Sequence, residues 1–291
     1  MSYRIEKGES LAGAFGRIAS EEISIALAEL RRRSHGEAVH NARKALKRLR
    51  GLLRSLRIAL PKELYERENR RFAAAGRRIA PWRDIHVQLR TLVKLGAHTH
   101  PAGKKIRADL LRQRKTISRQ SPGLRKIVRE MLHASEQAIA DWPLQKATPA
   151  RLAAGLKKVF KQGRAAHRAA LHRPSPVNLH EWRKKVKSLG FGFELIQGLG
   201  SKKFAKTIER CEDLGDCLGD DHDLFMALAA LRREHATQPS DDFGNLAHRV
   251  AARRTKLQRR AFRLGRRLYA EKPSVFEKRL DKFLARAAKS S

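Results

Sequence analysis

The chain has 291 residues, with 65 Lys and Arg against 29 Asp and Glu, so its formal net charge is +36 at pH 7. Apolar residues make up 41% of it and recur with helical spacing, which excludes a disordered basic tail. It contains no apolar run of about 18 residues that would span a bilayer, and its start lacks the apolar core of a secretory signal, so we expect a cytoplasmic protein.

The first two predicted helices span residues 10–33 and 39–60, with a break at 34–36 between them. At 100° per residue, the second helix gathers apolar side chains on one face and basic side chains on the other. The basic face consists of His40, Arg43, Lys44, Lys47, Arg50 and Arg54. Like charges three or four residues apart cost roughly 0.2–0.5 kcal/mol per pair, and this helix has no acidic residue after His40. The pattern indicates that acidic groups elsewhere in the fold, or a bound polyanion, neutralise the face.

Prolines mark the next boundaries. Pro61 ends the basic helix and suits the first turn of the next one, residues 62–80. Pro81 then separates this helix from a fourth predicted helix. Two further helices are predicted within residues 101–143, with a break at 121–123 where proline and glycine disfavour helix.

The pattern then begins again. Thr148 followed by Pro149 is typical of a helix start, and the helix that follows reaches a break at residues 174–176. The last two helices are predicted at residues 241–270 and 275–289. No stretch alternates apolar and polar residues at strand spacing, so the predicted fold is all-α.

The stretch at residues 179–196 repeats the one at 39–56 with an offset of 140. His40 matches His180, Arg43 matches Arg183, Lys44 matches Lys184, Lys47 matches Lys187 and Leu49 matches Leu189. A second anchor, Arg83-Asp84-Ile85 against His222-Asp223-Leu224, has an offset of 139. Two anchors with nearly one offset predict an internal duplication. We therefore expect a single domain, residues 1–291, built from two pseudosymmetric helical bundles, residues 8–145 and 148–290.

The paired V/L-H-x-x-R-K-x-x-K-x-L segments, each followed by an (R)D-hydrophobic element, resemble the CHAD family (conserved histidine α-helical domain). The resemblance covers nearly the whole chain and implies two bundles whose basic helices line a groove or pore that binds inorganic polyphosphate. The implied ligand contacts are His40, Arg43, Lys44, Lys47, Arg50, Arg54, His180, Arg183, Lys184 and Lys187. Gly190 and Glu194 stand where Arg50 and Arg54 stand in the first half, so the first-half side is expected to be more positive.

Basic residues at i, i+3, i+4 and i+7 place one or two cations on one face per turn, a rise of about 5.4 Å, which a flexible polyanion can follow. Arginine offers bidentate contacts to phosphate oxygens and lysine a mobile charge, and each motif histidine is expected to donate to phosphate. Residues on flanking helices are secondary candidates, namely Arg77, Arg78, Lys161 and Arg164. Asp84 and Asp223 are interpreted as partners of basic residues on neighbouring helices.

The main alternative is a protein that binds nucleic-acid backbones without sequence specificity, because a charge of this size attracts any phosphate polymer. Aromatic residues make up only 6% of the chain and do not interleave with the basic stripe, which disfavours a single-strand reader. A membrane-surface role is weaker, since the apolar faces are needed for the core. The arginine run between Arg253 and Arg267 is interpreted as a solvated outer face.

Catalytic and metal signals are weak, so we expect no enzyme activity, no cofactor and no metal. No HExxH or paired ExxH spacing occurs, and there is no GxxxxGK[ST] loop or GxSxG elbow. The nearest match to a triphosphate-hydrolysing motif, Glu66-x-Glu68-x-Arg70, falls in a helical pattern, where i and i+2 do not share a face. Cys211 and Cys217 are expected to be buried thiols. The predicted function is polyphosphate binding, with association with polyphosphate granules.

Overall fold

The computed structural model describes residues 3–32, 36–200, 202–237 and 243–289, and these form helices joined by short connections. The α-helices within these ranges are α1 (Leu11–Arg31), α2 (Gly36–Ser55), α3 (Lys62–Arg78), α4 (Ala80–Lys94), α5 (Pro101–Ala138), α6 (Pro149–His172), α7 (Pro176–Gln197), α8 (Lys202–Thr237), α9 (Phe243–Leu268) and α10 (Pro273–Lys289). The described residues contain no strand, which confirms the all-α prediction. None of these helices combines the length and apolarity that a bilayer span requires.

Most predicted boundaries agree with the structure to within a few residues. α1 begins after Ser10, whose hydroxyl accepts a hydrogen bond from the amide three residues on at 3.1 Å and so caps the helix. α2 is shorter than predicted, since it ends at Ser55 and residues 56–60 form turns and a bend. The predicted break before α2 includes residues 34 and 35, and the predicted start of α9 includes residues 241 and 242. All four lie outside the described residues.

The break predicted at Pro122 is wrong, because α5 continues through this proline as one helix of 38 residues. A proline inside a helix costs about 3 kcal/mol, since it lacks the N–H and its ring clashes with the preceding turn. α5 buries Ile106 and Leu110 in one apolar cluster before the proline, and Val128 and Leu132 in another after it. Burying four such side chains stabilises the helix by about 1.5–3 kcal/mol each, which exceeds the cost of the proline.

Two apolar clusters hold the helices together. The larger one takes side chains from both halves of the sequence, such as Phe15 from α1 and Phe160 and Phe193 from α6 and α7. The smaller one joins α4, α5, α8 and α9. Described residues of both predicted bundles therefore contribute to the larger cluster, and the division of the chain into two bundles stays a prediction.

The order of helices repeats along the chain. α2 and α7 begin at Gly36 and Pro176, and α3 and α8 begin at Lys62 and Lys202, in each case 140 residues apart. α8 is continuous, whereas the first half is interrupted at Ile79 between α3 and α4. The spacing agrees with the predicted repeat, and its origin by duplication stays a prediction.

The two motif helices, α2 and α7, pack directly against each other. A β-carbon on Gly51 would lie 2.8 Å from the β-carbon of Phe191, which is closer than real β-carbons approach, so glycine permits this crossing. Gly51 and Phe191 are themselves equivalent positions, 140 residues apart. The crossing therefore brings matching segments of the two stretches together.

Candidate functional site

The basic face of α2 lies opposite its buried face, as the sequence pattern predicts. Ala42, Leu46, Leu49 and Leu53 are buried, whereas the cations between them keep part of their side chains exposed. α2 packs against α3, α4 and α7 around this face. The electrostatic environment of these cations therefore depends on residues from several helices and not on α2 alone.

Lys47 lies among cations from three helices. The charges that act most strongly on it are those of Arg43 on α2, Arg183 and Lys187 on α7, and Arg83 on α4. Enclosure by the protein, together with these four cations, lowers the pKa of Lys47 to about 7. The Lys47 side chain is nevertheless exposed to water. We call these five residues the central cluster.

Two arginines of the central cluster bond to glycine carbonyls. Nη1 of Arg43 donates to the carbonyl oxygen of Gly76 on α3 at 2.7 Å, and Nε of Arg183 donates to that of Gly215 on α8 at 3.4 Å. Gly219 leaves space for the second guanidinium, since a β-carbon there would lie 3.0–3.1 Å from its nitrogens. Burial lowers the pKa of both arginines. The two halves thus hold equivalent guanidinium groups in a similar way.

Aspartates of α4 and α8 compensate part of this charge, as predicted for Asp84 and Asp223. Asp84 opposes the lowering of the pKa of Arg43, and Asp223 does the same for Arg183, so each acts on a cation of a neighbouring helix. Burial in turn raises the pKa of Asp223, against the opposing effect of nearby arginines. Lys187 pairs with Asp216 at 3.1 Å.

The motif histidines lie at the edge of the central cluster. Burial, followed by the charges of Lys47 and Arg83, lowers the pKa of His40. Burial and the neighbouring His222 lower the pKa of His180, and the two rings lie 4.6 Å apart between centroids. Both motif histidines therefore favour the neutral form near pH 7 when no anion is bound.

A second group of cations continues the basic face of α2 and is called here the outer cluster, consisting of Arg50, Arg54, Arg77 and Lys185. Nε of Arg50 donates to Oδ1 of Asn69 at 3.1 Å, and Nη1 of Arg54 donates to the hydroxyl of Ser188 at 2.9 Å. Burial, with the charge of Arg54 next, lowers the pKa of Arg50 to about 10 and also lowers that of Lys185.

Two predicted contacts, Lys44 and Lys184, are placed differently from their neighbours. Lys44 is exposed, and its charge lowers the pKa of the buried Glu22, of the half-buried Glu194 and of His40. Lys184 pairs with Glu181 on its own helix. These two lysines therefore flank the central cluster rather than complete it.

Glu194, which stands where Arg54 stands in the first half, pairs with Arg48 rather than with a cluster residue. Arg48 lies 3.1 Å from Glu22 and 3.2 Å from Glu194, and it packs over the ring of Tyr3. The arrangement gives Glu194 a cationic partner outside the central and outer clusters. The expectation of a more positive first half therefore stays a prediction.

Three residues of the site were missed by reasoning from the sequence as functional residues, namely Arg83, Lys185 and His222. The charge of Arg83 lowers the pKa of residues on both motif helices. The sequence feature that could have identified Arg83 is its place in the second repeat anchor. Of the secondary candidates, Arg77 acts on Arg50, Arg78 and Lys161 are exposed and Arg164 is half-buried. α6 contacts the outer cluster through Gln162, which accepts from Lys185 at 3.2 Å.

The carboxylate and thiol groups considered above for catalysis or metal binding have surroundings that favour a structural role. Glu68 is 0% exposed and bonds to Arg71 and Ser135, so it faces the protein interior. Cys211 and Cys217 are buried free thiols, as predicted, and burial raises the pKa of Cys211 to about 12. In the described part of the chain, His, Cys, Asp and Glu side chains form no group of three that would hold a metal ion.

Comparisons with known proteins agree on the fold. The family model described as CHAD domain matches residues 17–232. The crystal structure of the CHAD domain from the plant Ricinus communis superposes with a TM-score of 0.64 at 16% identity, over 93% of this chain and 95% of that one. PptA from Streptomyces chartreusis gives 0.59 at 16% identity, over 90% and 98%. No curated protein matches the chain.

Proposed function

The chain belongs to the CHAD domain family, and from this premise we propose that it binds inorganic polyphosphate over the central and outer clusters. The family is associated with polyphosphate. The observation that carries the proposal is the position of Lys47, which is exposed to water among cations of α2, α4 and α7. A soluble protein gathers cations at the cost of mutual repulsion, and a bound polyanion removes that cost.

The chemistry of the two clusters suits a linear chain of phosphates. Arginine provides forked donors and lysine a mobile ammonium, and both are present in each cluster. Basic side chains of α2 recur over the residues from Arg43 to Arg54, a rise of about 17 Å along the helix axis. A ligand with many equivalent oxygens and no fixed shape satisfies such donors in several registers.

We propose a binding role without catalysis, in the cytoplasm and in association with polyphosphate granules. The clusters supply donors and cations, and their aspartates are engaged with those cations. Glu68, the carboxylate nearest to a hydrolase motif in the sequence, is buried against Arg71 and Ser135. These contacts favour a structural role for the acidic residues.

Direct titration of the full chain with long-chain polyphosphate tests the proposal, at about 0.15 M salt where nonspecific attraction is screened. We expect the double variant Lys47→Gln, Arg183→Gln to bind at least about tenfold more weakly, because each charge-assisted contact contributes about 1.5–3 kcal/mol. The matched control, Arg114→Gln with Lys115→Gln on the exposed side of α5, removes the same net charge and should bind as the wild type does. An equal loss of polyphosphate affinity in both variants would mean that the overall positive charge of the protein, and not the two clusters, accounts for binding. Displacement of bound polyphosphate by RNA at an equal phosphate concentration would remove the claim of polyphosphate preference.

A further inference from the structure

A second cationic surface lies on α9, away from the motif helices. Its exposed face carries Lys and Arg side chains, while the helix contains no acidic residue. We call these residues the ridge, which consists of Arg249, Arg253, Lys256, Arg259, Arg260, Arg263, Arg266 and Arg267. They recur at intervals of three and four residues over about 27 Å of helix. Among the described residues, Arg260 is the ridge member with an ion pair, to Asp213 at 3.4 Å.

The helix under the ridge is anchored by buried contacts on its other side. Asp221 of α8, only 2% exposed, accepts from Nε of Arg254 at 2.9 Å and from Nε2 of Gln258 at 2.9 Å. Leu246, Val250, Ala261 and Leu268 are buried along the same side. The exposed half of α9 therefore projects its cations from a fixed support.

Acidic residues of α8 separate the ridge from the central cluster. They recur at i, i+4, i+7 and i+11 and are Glu209, Asp213, Asp216 and Asp220. Asp216 pairs with Lys187 of the central cluster on one flank, and Asp213 pairs with Arg260 of the ridge on the other. These two ion pairs place carboxylates of α8 between Lys187 of the central cluster and Arg260 of the ridge. The ridge is therefore a distinct surface.

The surroundings of the ridge narrow the class of polyanion. The large exposed apolar side chains of the described residues lie outside α9, which disfavours insertion into a lipid surface. Phe262 stacks on Trp182 at 5.5 Å and Phe243 on His235 at 4.1 Å, so the aromatic residues of α9 are engaged within the protein and offer no platform for unstacked bases. A regular double-stranded backbone fits better than a single strand or a membrane.

We propose that the ridge binds the phosphate backbone of double-stranded B-form DNA without reading its sequence. The major groove of B-DNA, about 12 Å wide, admits an α-helix, and an exposed half-helix with cations along both of its edges can contact the phosphates on either side. The deep, narrow major groove of double-stranded RNA does not admit such a helix. The protein then carries two polyanion surfaces, one on the motif helices and one on α9.

Salt titrations of the full chain with a labelled 20-base-pair DNA duplex test the proposal, the length being about two helical turns. The ridge variant is Arg253→Gln, Lys256→Gln, Arg259→Gln, Arg263→Gln. We expect its slope of log K against log salt to fall by about three to four, since each lost phosphate contact contributes about 0.9. The matched control is Arg107→Gln, Arg114→Gln, Lys115→Gln, Arg119→Gln on α5. It also removes three arginines and one lysine, and it should keep the wild-type slope.

Measuring polyphosphate binding by the same variants distinguishes a failure of this proposal from a failure of the proposed function. The ridge variant should bind polyphosphate as the wild type does, whereas Lys47→Gln with Arg183→Gln should bind the DNA duplex as the wild type does. An equal loss of duplex binding in the ridge and control variants would overturn the proposal. It would also be overturned if an RNA duplex of the same length bound as tightly and lost as much affinity in the ridge variant.

Discussion

Arg43 donates from Nη1 to the carbonyl oxygen of Gly76 at 2.7 Å, and a similar bond occurs in the second half, where Nε of Arg183 donates to the carbonyl oxygen of Gly215 at 3.4 Å. Each arginine crosses from a motif helix to the helix that follows it, and each is opposed by an aspartate of α4 or α8. The carbonyls restrict where the guanidinium groups lie without removing their charge. Two of the five residues of the central cluster are thus held in place by backbone carbonyls.

The first prediction concerns the space that Gly219 leaves for Arg183. In Gly219→Ala the new β-carbon would lie 3.0 Å from Nη2 and 3.1 Å from Nε of Arg183, so the guanidinium must move. Because the obstructed atoms are the flexible end of a side chain, we expect the fold to persist while polyphosphate affinity falls by about threefold to tenfold. Isothermal titration of the purified variant measures this change.

Gly123 on α5 is the matched control, since a β-carbon there would meet nothing within 4 Å. Gly123→Ala should leave the affinity unchanged and raise the free energy of unfolding by about 0.5–1 kcal/mol, as expected for alanine in a helix. Unchanged affinity in Gly219→Ala would mean that the position of Arg183 does not matter for binding.

The second prediction is a pH dependence set by Lys47, whose pKa is lowered to about 7. A bound polyanion raises the pKa of this ammonium, so binding above pH 7 takes up a proton and weakens as the pH rises. We expect the polyphosphate affinity to fall by about threefold to tenfold between pH 7 and pH 8.5. Titrations in two buffers with different ionisation enthalpies will report the proton uptake. Lys47→Arg should bind with a flatter pH profile, and a wild-type profile in that variant would exclude Lys47 as the titrating group.

The third prediction concerns Glu22, a buried carboxylate whose pKa is raised to about 7, chiefly by burial and against the opposing charge of Arg48. Since its folded pKa lies above its ordinary value, the folded state binds the extra proton between about pH 4.5 and 7, and the free energy of unfolding falls as the pH rises through that window. In Glu22→Gln we expect the difference in unfolding free energy between pH 5 and pH 8 to shift by about 1–3 kcal/mol in favour of pH 8.

Denaturant titrations at both pH values measure that shift. Arg48 keeps Glu194 as a partner in the variant, so its guanidinium is not left unpaired. Glu37→Gln, at an exposed position of α2, should leave the pH dependence of the wild type intact. The assignment fails if the two variants show the same profile.

The fourth prediction tests the buried tie between α3 and α5. Glu68 is 0% exposed, accepts from Nη1 of Arg71 at 2.8 Å and accepts from the hydroxyl of Ser135 at 2.7 Å. In Glu68→Gln the charge of Arg71 loses its buried partner, so we expect a loss of about 2–4 kcal/mol in the free energy of unfolding. Urea unfolding measures it, with the exposed Glu130→Gln as the reference. A loss below about 0.5 kcal/mol would mean that the interactions of Glu68 contribute little to stability.

Helical periodicity accounts for the part of the fold that could be predicted from the sequence. The alternation of Leu46, Leu49 and Leu53 with cations predicts both faces of α2 correctly, because three- and four-residue spacing reports directly on a helix. The break expected at Pro122 is wrong, since the local cost of proline is visible in the sequence but the burial of Val128 and Leu132 on the far side is not.

The candidate site could be predicted only where its residues lie on the two repeated motif helices, α2 and α7. Arg83 and His222 join the site from α4 and α8, and no spacing rule connects them to residues of α2 or α7. Lys44 has the same periodicity as Lys47, yet the packing of Glu22 and Glu194 near it gives it different neighbours. Side-chain surroundings of this kind depend on how helices cross, which a single helical pattern does not specify.

One apolar cluster takes side chains from both sequence halves, so moving the two motif helices apart would expose buried apolar surface. For a bound polyphosphate chain, we therefore expect the same set of cations to be occupied in as many registers as the chain length permits. Each phosphate added beyond the length that the clusters cover provides one more binding register. For a polyphosphate ligand, the apparent affinity per chain will keep rising with chain length after every cation is covered, through statistics alone.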